Sequence, residues 1–135
     1  MRLCYGLLLA ILAACGSSTS SSTSPPPPPP PPPAPPPPPA PGTVSVDITD
    51  YKYTPDTIMI AANTPVRWTN GGAFPHSVTA DGGAFDSRTL TPPGTDSYGH
   101  PTAGAVYDRT FDVAGKYPYH CSVHPFMHGV VIVSP

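Results

Sequence analysis

The chain has 135 residues, room for one modest domain, and 24 of them are proline. Its formal net charge is −2, and after residue 42 Lys52, Arg67, Arg88, Arg109 and Lys116 stand against aspartates alone, with no glutamate. A nucleic-acid-binding face needs clustered Lys and Arg, so that class of partner is excluded.

Arg2 is followed by an apolar run from Leu7 to Ala14 that ends in small residues. This is the pattern of an export signal, too short to span a bilayer of about 30 Å as a helix. The segment Leu12-Ala13-Ala14-Cys15 resembles a bacterial lipobox. That resemblance implies a lipoprotein-type signal peptide over residues 1–14, cleavage before Cys15 and a lipid on the Cys15 sulfur. The plainer reading is an ordinary signal cut nearby, with Cys15 incidental. Residues 15–42 form a linker. Gly16 to Ser24 is almost pure Ser and Thr, and Pro25 to Pro41 is proline broken only by Ala34 and Ala40. The first part predicts a flexible coil. The second predicts a polyproline II rod at about 3.1 Å per residue, so on the order of 50 Å long. Neither part can bury a core. A spacer that holds a lipid-anchored domain clear of a membrane explains both.

Residues 43–135 carry the folded domain, and its pattern is all-β. Thr43 to Thr49 alternates strictly, with Val44, Val46 and Ile48 on one face. Thr57 to Ala61, Val66 to Thr69, His76 to Thr79, Val106 to Asp112, Lys116 to Cys121 and Val130 to Val133 follow as short strands between turn signals. Trp68 is placed in the core. Ala84 to Ser87 reads as a further short strand, and the Pro/Gly-rich stretch from 94 to 106 reads as loop. Short strands at this spacing predict a β-sandwich.

Cysteine usage narrows the chemistry. Cys4 leaves with the signal and Cys15 goes to lipid, so Cys121 stands alone with no disulfide partner. It lies in Tyr119-His120-Cys121-Ser122-Val123-His124-Pro125-Phe126-Met127-His128-Gly129. Here a thiol, an imidazole and a thioether follow one another at three-residue steps. A strand delivers Cys121, and a loop kept irregular by Pro125 can fold the three side chains toward one point. Thiolate and thioether suit Cu(I), imidazole suits both copper states, and two His, one Cys and a distant Met make the blue-copper set. His76 is the candidate second imidazole. Strand alternation puts Tyr117, Tyr119 and Cys121 on one face and His120 on the other, so His120 is not expected to be a ligand. His128 is expected on the loop surface, and His100 sits in the unread loop. Taken singly, His76 also suits a core histidine, Met127 core filler and Cys121 an inert thiol; only the set at this spacing points to a metal.

The domain resembles the cupredoxins of the plastocyanin and amicyanin type. The matching residues are Phe74-Pro75-His76-Ser77-Val78, Phe85-Asp86-Ser87, Gly115-Lys116-Tyr117-Pro118-Tyr119-His120-Cys121 and His124-Pro125-Phe126-Met127 with Gly129. The spacing of Cys, His and Met is the short, amicyanin-like form. The resemblance implies a Greek-key β-sandwich and one type 1 copper ion, with His76, Cys121 and His124 equatorial and Met127 axial. It also implies one-electron transfer rather than enzymatic catalysis. The partners would be redox proteins docking briefly on the apolar surface near His124. A monomer is expected, held on a bacterial membrane through its lipid and facing the periplasm or exterior.

Three departures stand out. Ser77 replaces the family's usual Asn, and Val123 replaces a common Pro. The stretch from 94 to 106 is longer than in compact members. The N–H that Val123 restores is expected to donate to the Cys121 sulfur. Two rival readings have less support. A copper carrier or buffer would want a more open site or a His/Met-rich tract, which the sequence lacks. A Cys-His hydrolase would want a cleft and an oxyanion hole, which one crowded turn does not offer.

Overall fold

The computed structural model describes residues 27–36 and 42–135; the signal and Cys15 lie outside the described residues. Residues 27–36 form neither helix nor strand and are exposed, apart from half-buried Pro36. A proline run has no backbone donors with which to join a sheet.

Ten strands follow in the domain: β1 (Val44–Thr49), β2 (Lys52–Thr54), β3 (Thr57–Ala61), β4 (Thr64–Asn70), β5 (Thr79–Ala80), β6 (Gly94–Thr95), β7 (Pro101–Thr102), β8 (Val106–Phe111), β9 (Gly115–His120) and β10 (His128–Ser134). Among the described residues there is no helix. One sheet has the order β2-β1-β4-β8 and the other β3-β10-β9-β5, with β6 and β7 as a separate pair. Two pairings are parallel, β1 with β4 and β3 with β10. The all-β sandwich expected from the pattern is therefore present.

Alternation drives the packing. Val46, Ile48, Ile58, Ile60, Val66, Trp68, Phe111, Tyr119, Val131 and Val133 point inward from both sheets into one core. Trp68 is fully buried at its centre. Its Nε1–H donates to Tyr119 Oη at 3.2 Å, and the two rings meet edge to face at 5.7 Å. The bond satisfies the one polar atom that burying an indole leaves behind. Burial pushes the Tyr119 phenol up to about 12, so it stays a neutral acceptor. Gly129 is required beside this ring, because a Cβ there would collide with the Tyr119 side chain.

Four local features differ from the pattern reading, the first being that Ala84 to Ser87 forms no regular strand, only an isolated bridge between Asp86 and Thr79. β2 was not foreseen, because Lys52-Tyr53-Thr54 has no run of apolar residues; Tyr53 is its one buried residue. His76 and Leu90 exchange both backbone hydrogen bonds as an isolated bridge, so His76 does not start a regular strand. The stretch from 94 to 106 holds the small β6–β7 hairpin rather than loop alone.

Candidate metal centre

Three stretches converge at one end of the sandwich. The first follows β4. Asn70 is fully buried, and its Nδ2 donates to Phe74 O and to Leu90 O, both at 2.9 Å. Its Oδ1 accepts the Gly72 N–H at 3.1 Å. One amide thus fixes the turn that carries the chain to His76. The second stretch is β9, which ends just before Cys121. The third is the loop from Cys121 to Met127. The Met127 N–H donates to His124 O at 2.9 Å, and the Cys121 N–H donates to Met127 O at 3.1 Å. These two bonds fold Cys121, His124 and Met127 into one tight turn.

The geometry suits a single ion. Cys121 Sγ lies 3.9 Å from His76 Nδ1 and 3.9 Å from His124 Nδ1. The ligand atoms of all three residues lie within 4.8 Å of one another. A nitrogen at about 2.0 Å and a sulfur at about 2.3 Å from one ion, at a trigonal angle, stand about 3.7 Å apart. His76 and Cys121 have no exposed surface, while His124 is half-buried. Met127 is buried beside them in sequence and closes the loop. Burial, reinforced by the neighbouring His124 imidazole, holds His76 below the ordinary histidine range despite the opposing pull of Asp50. His76 is therefore neutral, the form that ligates. Its Nε2 is buried without a hydrogen-bond partner and faces Asp50 Oδ1 at 3.9 Å. When Nδ1 gives its lone pair to a metal, Nε2 carries the proton, and a carboxylate faces that proton.

The sulfur has a backbone donor, and it is not the expected one. The Ser77 N–H donates to Cys121 Sγ at 3.3 Å. Val123 lies on the exposed side of the turn, and no hydrogen bond joins it to the sulfur, so the expectation for its N–H is corrected. The reason is that Ser77 follows His76 and passes directly beside the thiol. Ser77 also makes the latch in place of asparagine. Its Oγ accepts the Ser122 N–H at 2.8 Å and shares protons with Ser122 Oγ at 2.9 Å and Thr79 Oγ1 at 3.1 Å. The Tyr53 hydroxyl donates to Ser77 O at 2.5 Å, holding the same residue from below.

The comparisons agree with this geometry. The family model "Copper binding proteins, plastocyanin/azurin family" matches residues 40–134. The chain belongs to that copper-binding family. It is 35% identical over 94 residues to amicyanin of Paracoccus denitrificans, covering 70% of this chain and 67% of the relative. It is 36% identical over 87 residues to the chloroplastic plastocyanin of Tetradesmus obliquus, covering 60% and 57%. The crystal structure of amicyanin from Paracoccus versutus superposes with a TM-score of 0.53 at 33% identity, over 70% of this chain and 84% of that one. A copper-containing nitrite reductase from Thermus scotoductus matches with a TM-score of 0.56 at 26% identity, over 68% of this chain but only 22% of that one. The domain thus recurs both alone and as part of a larger copper enzyme.

Within this cupredoxin the structure brings together His76, Cys121 and His124. It leaves His120 on the opposite face of β9, where Nδ1 lies 2.6 Å from Asp81 Oδ1. His128 opens β10 and is exposed. His100 bonds Asp96 in the β6–β7 hairpin, 3.0 Å away. Sequence reasoning missed Asn70, Asp50, Tyr51 and Tyr53. The strand expected over Val66 to Thr69 ends just before Asn70, and nothing in the pattern marked that residue as a buried staple. Asp50-Tyr51 forms the two-residue turn between β1 and β2, with Tyr51 at φ 68°. A tyrosine rarely adopts that conformation, so nothing marked the turn. The Tyr51 ring meets His124 edge-on at 5.1 Å and contacts Phe74 at 5.7 Å and Phe126 at 5.8 Å.

Proposed function

We propose that this cupredoxin is a one-electron carrier whose copper is held by His76 Nδ1, His124 Nδ1 and Cys121 Sγ, with Met127 as the fourth, weaker ligand. The observation that carries the reading is the approach of three ligand atoms from two distant parts of the chain, inside a copper-binding family. Copper bound here supplies the Cu(I)/Cu(II) couple. The protein's part is to hold the donors still. Asn70 fixes the turn before His76, the Ser77–Ser122 bonds lock the two ligand loops together, and the Ser77 N–H stabilises the electron-rich sulfur. A frame that does not move between oxidation states keeps the cost of each transfer low.

Electrons enter and leave through the ring edge of His124. Around it Tyr51, Phe74, Val123 and Phe126 are exposed apolar side chains. A small apolar surface of this kind suits brief docking to redox partners, and the chain acts as a monomer. A copper carrier fits less well, because His76 and Cys121 are sealed from solvent and only the His124 edge is open. An enzymatic role is disfavoured because four protein ligands leave no position for substrate. We assign residues 1–14 to a lipoprotein signal, Cys15 to lipid, 15–42 to the tether and 43–135 to the copper domain. That arrangement places it at the surface of a bacterial membrane, on the periplasmic or outer side.

The test is the visible spectrum of the copper-loaded, oxidised protein. A thiolate-to-copper charge-transfer band is expected, and it should vanish in Cys121→Ser while copper content and fold are followed separately. A colourless Cu(II) protein, or release of the metal on reduction, would favour the carrier instead.

A further inference from the structure

Two imidazoles outside the copper centre face each other across a strand pair. His120 on β9 is in register with His128 on β10. The Cys121 N–H bonds across to Met127 O, so the next pair along, His120 with His128, is a non-hydrogen-bonded pair. Side chains in such pairs lie closest together. Their ring centres are 6.5 Å apart. Two imidazoles that share one ion at about 2.0–2.1 Å bring their centres to roughly 5–6 Å. Rotation of the exposed His128 side chain closes that gap. His120 is already oriented: its Nδ1 lies 2.6 Å from Asp81 Oδ1. A carboxylate only accepts, so Nδ1 carries the proton and the Nε2 lone pair is left free. A carboxylate behind an imidazole is the arrangement that aims a histidine at a metal.

We propose that His120 and His128, backed by Asp81, form a second, solvent-open site for a divalent transition-metal ion of the imidazole-preferring class, such as Zn²⁺, Ni²⁺ or Cu²⁺. Water completes the coordination. The site lies on the outer face of β9, opposite the Cys121 side chain, and does not depend on which residues hold the first ion. It differs from the copper centre in having no sulfur, so it does not favour Cu(I). Zn²⁺ is the useful probe because it has no redox chemistry.

The experiment uses the copper-loaded protein in its diamagnetic Cu(I) form. Zn²⁺ is added while the histidine ring protons are followed by NMR. The His120 and His128 signals are expected to move together and saturate at one Zn²⁺ per chain, while His100, paired singly with Asp96, stays in place. His128→Ala should weaken Zn²⁺ binding at least tenfold and Asp81→Asn several-fold, both with the oxidised visible spectrum unchanged. The proposal is overturned if only one of the two rings moves, if no saturation is reached at millimolar Zn²⁺, or if His128→Ala titrates like the parent.

Discussion

Asn70 offers the sharpest test of how the fold places the copper site. In Asn70→Ala three hydrogen bonds disappear: to Phe74 O, to Leu90 O and from the Gly72 N–H. Leu90 O keeps a partner, because it also accepts the His76 N–H at 3.1 Å. The Gly72 N–H is buried and is left with none. At about 0.5–1.5 kcal/mol for each bond, the loss is about 2–4 kcal/mol. Asn70→Asp separates hydrogen bonding from shape. A carboxylate still accepts from Gly72 but sets its other oxygen, in place of the Nδ2 donor, against the Phe74 and Leu90 carbonyl oxygens. Its pKa in the folded state is therefore raised above the unfolded value. The folded state then binds more protons, so this variant gains stability relative to wild type as pH falls through that raised pKa. Urea unfolding of metal-free protein at several pH values reads both effects. A loss under 0.5 kcal/mol in Asn70→Ala, or an Asn70→Asp variant that matches wild type at neutral pH, would refute the staple.

Ser77→Ala removes the Oγ contacts to Ser122 and Thr79 but keeps the N–H on the sulfur. It is expected to cost about 1–2 kcal/mol, seen as a lower melting temperature, with the charge-transfer band retained. Ser77→Asn should recover part of that loss. Gly129→Ala drives a Cβ into the buried Tyr119 ring and is expected to cost about 1–3 kcal/mol from overpacking, with a changed tryptophan fluorescence because Trp68 Nε1 loses its acceptor. The Arg67 guanidinium grips Asp108 with two bonds, 2.7 Å and 2.6 Å, and holds its carboxyl below the usual range. A depressed carboxylate stabilises above its unfolded pKa and loses that contribution as pH falls through the folded one. Asp108→Asn should therefore be less stable at neutral pH, with its melting curve converging on wild type in acid.

The sandwich was legible because most of its strands alternate. Val44, Val46 and Ile48 line one face as the period of two requires, and the same rule separated His120 from Cys121 one residue apart. The candidate metal centre was marked out because Cys121, His124 and Met127 follow one another within one loop. What stayed hidden depends on long-range partners. The Ser77 amide reaches the sulfur across 44 positions of sequence, and no local pattern distinguishes it from the Val123 amide. Tyr51 reaches His124 only because an unfavourable backbone conformation turns it there. The β6–β7 hairpin is two residues per strand, too short for alternation to register.

The two parallel pairings carry a kinetic consequence. β3 lies beside the last strand, β10, and Ser134 Oγ donates to Ile60 O from 74 positions away. That sheet cannot close until β10 has been delivered. Loop closure over such separations must precede the contacts that repay it, so folding on the order of milliseconds to seconds is expected rather than microseconds. The Cys121–Met127 turn connects β9 to that last strand. The pocket for the metal is therefore completed only as the C-terminal strand docks, and a chain halted before Val130 would carry every donor atom yet lack the scaffold that gathers them.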